Sequence, residues 1–181
     1  MREVIAATER LILRRWRESD RAPFARMNAD PRVMEFFPEP LSGAESDLLI
    51  NRIEADFEKH GFGPCAAELM EDHSFIGFIG LHLAAFPAHF TPCVEIAWRL
   101  AATHWGRGLA TEGAREMVRQ AFDVLHLREL VSFTVPANIR SRRVMEKLGM
   151  THDAADDFDH PELAAGHPLR RHVLHRLRVS R

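Results

Sequence analysis

Apolar positions along the chain change period several times, and each change marks an element. In Glu9–Trp16 (ERLILRRW), Leu11 and Leu13 alternate with polar neighbours, as in a half-buried strand. Ser19 or Asp20 then offers an N-cap, Pro23 suits a first turn, and Phe24 and Met27 share a face. This predicts a short helix that Asp30-Pro31 breaks. Ser42 and Glu45 make a capping box for a second helix, with Leu48, Leu49, Ile53 and Phe57 as its inner face up to His60-Gly61. Pro64–Met70 and Phe75–Leu83 read as a hairpin across Glu71, Asp72 and His73, where Gly77 and Gly80 mark a bulge or a close approach by a ligand.

A loop with Pro87 and Pro92 leads to a strand at Cys93–Leu100. Beyond it, Ala110, Ala114, Met117, Val118, Ala121, Phe122 and Leu125 recur at helical spacing. Glu129–Val135 is strand-like, and Asn138 caps another helix with Val144, Met145 and Leu148 inward and Lys147 and Gly149 at its end. A polar connection holding Asp153, Asp156, Asp157 and Asp159 precedes a last strand at Arg171–Val179. The strand–helix–strand–helix order makes 93–100 and 129–135 parallel neighbours.

The stretch Thr103–Gly113 (THWGRGLATEG) joins the first of these strands to its helix. Gly106 and Gly108 let backbone N–H groups converge, and the helix start adds unpaired N–H groups and a positive dipole end. Such a turn suits a pyrophosphate, although an ordinary strand-to-helix turn also uses glycine. A Walker loop is excluded because no lysine follows the glycines. A dinucleotide fingerprint fits poorly, since the acidic residue at Glu129 precedes the next strand instead of ending it.

Composition narrows the class. With 181 residues, 46% hydrophobic, and 24 basic against 26 acidic side chains, the chain suits a single domain over 1–181. It has no basic excess for nucleic acid and no apolar run near the roughly 18 residues of a membrane helix. Met1–Ala7 lacks the pattern of a secretory leader, and Cys65 and Cys93 read as small buried hydrophobes, so a cytoplasmic location is expected. Eleven histidines raise the question of a metal. Yet His172 and His175 fall on opposite faces of a strand and no HExxH is present, so no metal site is expected.

Two segments carry a resemblance. Trp105-Gly106-Arg107-Gly108-Leu109-Ala110-Thr111-Glu112 resembles the coenzyme A loop of the GNAT acyltransferases, in the form used by their RimJ/RimL-like branch, with Trp105 in place of Gln or Arg. Asn138–Met150 (NIRSRRVMEKLGM) resembles the GNAT signature N-x-x-S-x-[RK]-V-x-E-K-L-G-[FM], and Val94–Trp98 (VEIAW) is similar to the strand that precedes the loop. The resemblance implies an α/β (α+β) fold: a mixed, mostly antiparallel twisted sheet of about six or seven strands with a splayed parallel pair, flanked by about four helices.

It further implies transfer of an acetyl group from acetyl-CoA to a primary amine, on a protein N-terminus or a small molecule. Gly106, Arg107, Gly108, Leu109, Ala110 and Thr111 would hold the pyrophosphate, and backbone groups of Ile96 and Trp98 the pantetheine arm. Glu95 is the base, or else a cross-strand glutamate without chemistry. The tyrosine that many GNAT enzymes use as acid is excluded, because the chain contains none. Ser141 is the implied substitute, or else a first-turn serine bonded to the backbone. Asn138 is an N-cap or a cofactor contact. Arg140, Arg142 and Arg143 could reach a phosphate or form a solvated face. Phe36 and Phe37 line the acceptor entrance or pack in the core with Val33 and Met34, and His167 or His172 could contact the acceptor. A homodimer is compatible with this reading, and the competing class is a noncatalytic acyl-CoA or nucleotide-binding module on the same fold.

Overall fold

The computed structural model describes residues 3–179; Met1, Arg2, Ser180 and Arg181, and with them the first two positions read for a leader, lie outside the described residues. The elements follow in the order β1 (Val4–Ala7), β2 (Leu11–Arg14), α1 (Arg21–Asn28), α2 (Gly43–His60), β3 (Pro64–Leu69), β4 (Phe75–Ala84), β5 (Cys93–Leu100), α3 (Leu109–Arg119), β6 (Glu129–Thr134), α4 (Ile139–Lys147), β7 (Thr151–His152), β8 (Phe158–Asp159) and β9 (Arg171–Arg178). Among the described residues the sheet has nine strands, ordered β1-β2-β3-β4-β5-β6-β9-β7 with β8 beside β9, and every pair is antiparallel except β5–β6. Three strands exceed the sequence expectation. β1 is too short, and β7 and β8 at two residues far too short, to carry a period.

Side-chain alternation gives the sheet two faces. Ile79 and Leu11 meet α3 at Gly113, and Trp98, opposite Ile79, reaches Ser141 of α4. Phe78 packs edge-on to Phe24 of α1, and Arg99, opposite Phe78, reaches Asn28. The helix pair α3/α4 therefore covers one face and α1/α2 the other, and β3 is buried throughout between them.

Local chemistry explains most boundaries. Ser42 and Glu45 form the capping box of α2, and Gly61 ends it in the left-handed region. The buried face of α2 is Ser46, Ile50, Ile53 and Phe57, while Leu48 is 58% exposed, a correction to the expected stripe. Asp20 precedes α1 but makes no side-chain cap bond to it; its carboxylate accepts from both ends of the Arg14 guanidinium (2.7 and 2.9 Å) and from the Arg17 N–H (2.8 Å). Arg14 and Glu68 are also buried and paired at 2.6 Å, so the expected cap serves a buried ion network instead. Gly77 sits at a register shift between β3 and β4, and a Cβ there would lie 2.1 Å from the Arg99 carbonyl. Of the two readings for that glycine, the structure has the bulge. Cys65 is buried, Cys93 half-buried, and both are free.

Candidate active site

β5 pairs with β4 along its whole length but meets β6 at a single register pair, Glu95 with Val131. Beyond it the two parallel strands part, and the β6-facing edge of β5 from Ile96 onward has no strand beside it. A cavity of about 670 Å³ opens there, walled by β5, β6, α4 and the segment before α2, and reaching the turn that starts α3.

That turn is built for an anion. Gly106 (φ 74°) and Gly108 (φ 79°) adopt the left-handed conformation, which costs an L-residue roughly 1–2 kcal/mol. From Gly106 to Thr111 no backbone N–H has an acceptor among the described residues; Glu112 is the first to find one, donating to the Gly108 carbonyl at 3.0 Å. Unpaired amides beside a helix N-terminus are the donor set a pyrophosphate requires, so the residues present fit a coenzyme A diphosphate. A clamp steadies the turn. Glu112 accepts from the Thr8 hydroxyl (2.6 Å), the Arg10 N–H (2.9 Å) and Arg10 Nε (2.7 Å), and Arg10 Nη1 donates to the Arg107 carbonyl (3.0 Å). Burial works against the Glu112 carboxylate, but the hydrogen bonds from Thr8 and Arg10 hold it below the usual range. Sequence reasoning missed this clamp, whose only signal was an acid in the first turn of α3.

Glu95, Ala97 and Arg99 project on the α1/α2 face of β5, and all three line the cavity. Glu95 has no hydrogen-bond donor or ion-pair partner among the described residues, and burial alone pushes its carboxyl up to about 8. A carboxyl so raised can accept a proton near neutral pH. On the opposite face Ile96 is fully buried, and Trp98 Nε1 donates to Ser141 Oγ at 3.2 Å. The Ser141 hydroxyl thus accepts from the indole and keeps its own hydrogen for another partner, while its backbone N–H bonds Asn138 Oδ1 (3.2 Å). Asn138 spends its amide on Thr134 Oγ1 (3.0 Å), so one end of its side chain caps α4 and the other ties that cap to the end of β6.

Val33 and Met34 enter the core, whereas Phe36 and Phe37 line the cavity, Phe37 being 40% exposed. Arg140 and Arg143 line it as well; Arg140 pairs with Glu35 (2.6 Å) and lies over the Trp105 ring, while Arg142 donates to the Pro136 carbonyl instead. His172 and His160 line the far end, their rings 5.2 Å apart beside Phe133 and Phe158, and His167 does not. Among the described residues no three His, Cys, Asp or Glu side chains converge as a metal-ligand set. The residue that sequence reasoning overlooked is Arg99, whose guanidinium stacks 4.1 Å from the Phe37 centroid and whose Nη1 donates to Asn28 Oδ1 at 2.8 Å.

A sheet split at a parallel pair, with an amide-lined turn at the open end and an unpaired carboxyl at the closed end, defines a transferase site for an elongated anionic donor. Comparison with known proteins gives the family. The model of the acetyltransferase (GNAT) domain matches residues 10–151, and the chain belongs to the GNAT acetyltransferases, enzymes that acetylate nitrogen with acetyl-CoA. It is 47% identical over 62 residues to the FsC-acetyl coenzyme A-N(2)-transacetylase of Aspergillus fumigatus; that match spans 34% of this chain and about a quarter (26%) of the fungal protein's length. An acetyltransferase of Agrobacterium tumefaciens superposes with a TM-score of 0.77 at 29% identity, covering 96% of this chain and 94% of that one. Mycobacterium smegmatis RimJ, in complex with CoA-disulfide, shares the fold at 19% identity and a TM-score of 0.73, covering 98% and 85%.

Proposed function

We propose that this chain transfers the acetyl group of acetyl-CoA directly to a primary amine in a ternary complex, as a RimJ/RimL-like member of its family. The observation that carries the reading is the single-pair junction of β5 and β6, which opens one continuous cavity from the unpaired amides at Gly106–Thr111 to the Glu95 carboxyl. Acetyl-CoA supplies the activated acetyl group. The amides from Gly106 to Thr111, with Arg107, bind its diphosphate, and the free edge of β5 at Ile96 and Trp98 holds the pantetheine arm.

Glu95 takes a proton from the acceptor nitrogen, which must be neutral to attack. The C–N bond forms, the C–S bond breaks, and Ser141, held by the Trp98 indole, donates to the departing sulfur and regains a proton from solvent, to which Glu95 returns the one it took; the products are the N-acetyl amine and the free thiol. Phe36 and Phe37 form the acceptor wall. Free Cys65 and Cys93, and the absence among the described residues of any helix long and apolar enough to cross a membrane, fit a cytoplasmic setting.

The test is thiol release from acetyl-CoA against a screen of N-terminal peptides, polyamines and amino acids. Amine-dependent release is expected. Tight retention of acetyl-CoA with no release by any amine would instead mark a binding module.

A further inference from the structure

Two arginines turn their guanidinium groups into this fold, Arg14 fully buried and Arg99 half-buried at the cavity wall, and only Arg14 is answered by carboxylates. Arg14 meets both Asp20 and Glu68. Arg99 has no carboxylate within 4.0 Å among the described residues; its one hydrogen bond goes to the neutral amide of Asn28, and its Nε is buried without a partner. Burial of that uncompensated charge lowers the guanidinium to about 10. An unpaired cation away from bulk water is costly, and Arg99 cannot discard its charge at neutral pH.

The side chain is also fixed. Asn28, fully buried, donates to Ser46 Oγ (3.1 Å) and accepts from Arg99 Nη1, while Phe37 and Phe78 hold the guanidinium at 4.1 and 5.4 Å. These contacts occupy one nitrogen and the ring-facing side. Nη2 makes no bond, and Nε beside it is buried without a partner, so Nη2 is the donor left for a carboxylate to reach. Arg99 lines the same cavity as Glu95, four residues along one strand face, about 13 Å between Cα atoms by strand rise, with Ala97 between them on that face.

We propose that Arg99 is the anchor for a carboxylate on the acceptor, and that the amine acetylated here is an amino acid or another small amine bearing a carboxylic acid. The acid docks on the unbonded Nη2 of the guanidinium, and the amine extends over Ala97 toward Glu95. A polyamine, cationic throughout, would meet a like charge at this wall. This inference rests on the acetyl-transfer reading for the chemistry at Glu95 but not for the binding of the acid.

The experiment pairs each acid with its own carboxamide: leucine, phenylalanine, β-alanine and 5-aminovalerate. Each is assayed for acetyl-CoA-dependent thiol release, and each is titrated calorimetrically into enzyme saturated with coenzyme A. At least one acid is expected to exceed its amide about tenfold or more in kcat/KM and in affinity, the scale of a charge-assisted hydrogen bond. The amide's α-amine is the less basic, so in leucine and phenylalanine that preference runs against intrinsic reactivity.

Arg99→Gln should remove the preference by raising KM for the acid, with coenzyme A affinity unchanged, and Arg99→Lys should restore part of it. The wild-type comparison needs no variant to fold and decides the matter by itself. Acids bound selectively without turnover of any amine would keep the anchor and overturn the acetyl-transfer reading. Acids and amides bound or acetylated equally, no acid bound at all, or an undiminished preference in a folded Arg99→Gln enzyme would overturn the anchor.

Discussion

As the proposed base, Glu95 carries the largest demand placed on any one side chain. Its carboxyl, raised by burial and helped by no donor, must lose its proton before it can accept one, so kcat/KM should climb with pH and level off above about 8. Glu95→Gln should flatten that limb and lower kcat by about 10²-fold or more, with acetyl-CoA affinity unchanged. The same shift has a signature in stability. Because the folded value lies above the ordinary 4.5, the folded state holds the proton more tightly, and stability falls as pH rises from about 4.5 to about 8. The Gln variant should lose less over that window. Thermal melts of both proteins across pH 4–9 check this, and parallel curves would mean that Glu95 is not so perturbed. Its neighbours on the same face are Cys93, whose thiol burial raises to about 11, and His82 across the strand pair, which burial lowers, so no imidazolium opposes the shift and no thiolate adds to it.

Glu95 was legible in the sequence as an acid within a patterned strand just ahead of a glycine turn. Arg99 was not. A charge alternating with apolar residues in a strand reads as solvent-facing, and what buries Arg99 is Asn28 and Phe37, more than sixty positions away in the chain.

Elements whose ends are set by their own residues were legible in the same way: the capping box of α2, the Asn138 cap of α4, and the glycine start of α3. Those set by distant partners were not, which is why Asp20 was taken for a cap when it serves Arg14, and Leu48 for a core residue when it faces solvent. The glycines of α3 separate affinity from stability. Gly113 lies where a Cβ would come 2.5 Å from Ile79 Cδ1, so Gly113→Ala must displace that side chain, and the overpacking of about 1–3 kcal/mol should outweigh the roughly 1 kcal/mol that alanine gains as a helix former. Urea unfolding measures that loss, and a variant as stable as wild type would mean that α3 packs less closely than described. Gly106 has open space around it instead, so its conformation and its free amide are what matter there.

At the scale of the molecule, the first hairpin is joined to α1 and β3 through the triad of Arg14, Asp20 and Glu68. Burial favours the neutral form of Glu68, yet hydrogen bonds from Arg14 and His73 outweigh it and hold the carboxyl below its ordinary range. The sign is opposite to that at Glu95: this contribution is present above about pH 4.5 and lost as pH falls. Removing Asp20 strips two bonds from the Arg14 guanidinium and leaves it with Glu68 alone, so Asp20→Ala should cost about 1–3 kcal/mol in urea unfolding. A loss under about 1 kcal/mol would show that water reaches Arg14.

The sheet so stabilised keeps β5 and β6 apart at one end, and the claim that this gap binds acetyl-CoA is central. Calorimetric titration of the wild-type protein and Gly108→Asp with acetyl-CoA, with NAD and ATP as controls, tests it most directly. Micromolar-range binding selective for acetyl-CoA, abolished in a variant that still melts cooperatively, is the predicted result. No binding of acetyl-CoA, a preference for NAD, or undiminished affinity in the folded variant would contradict it.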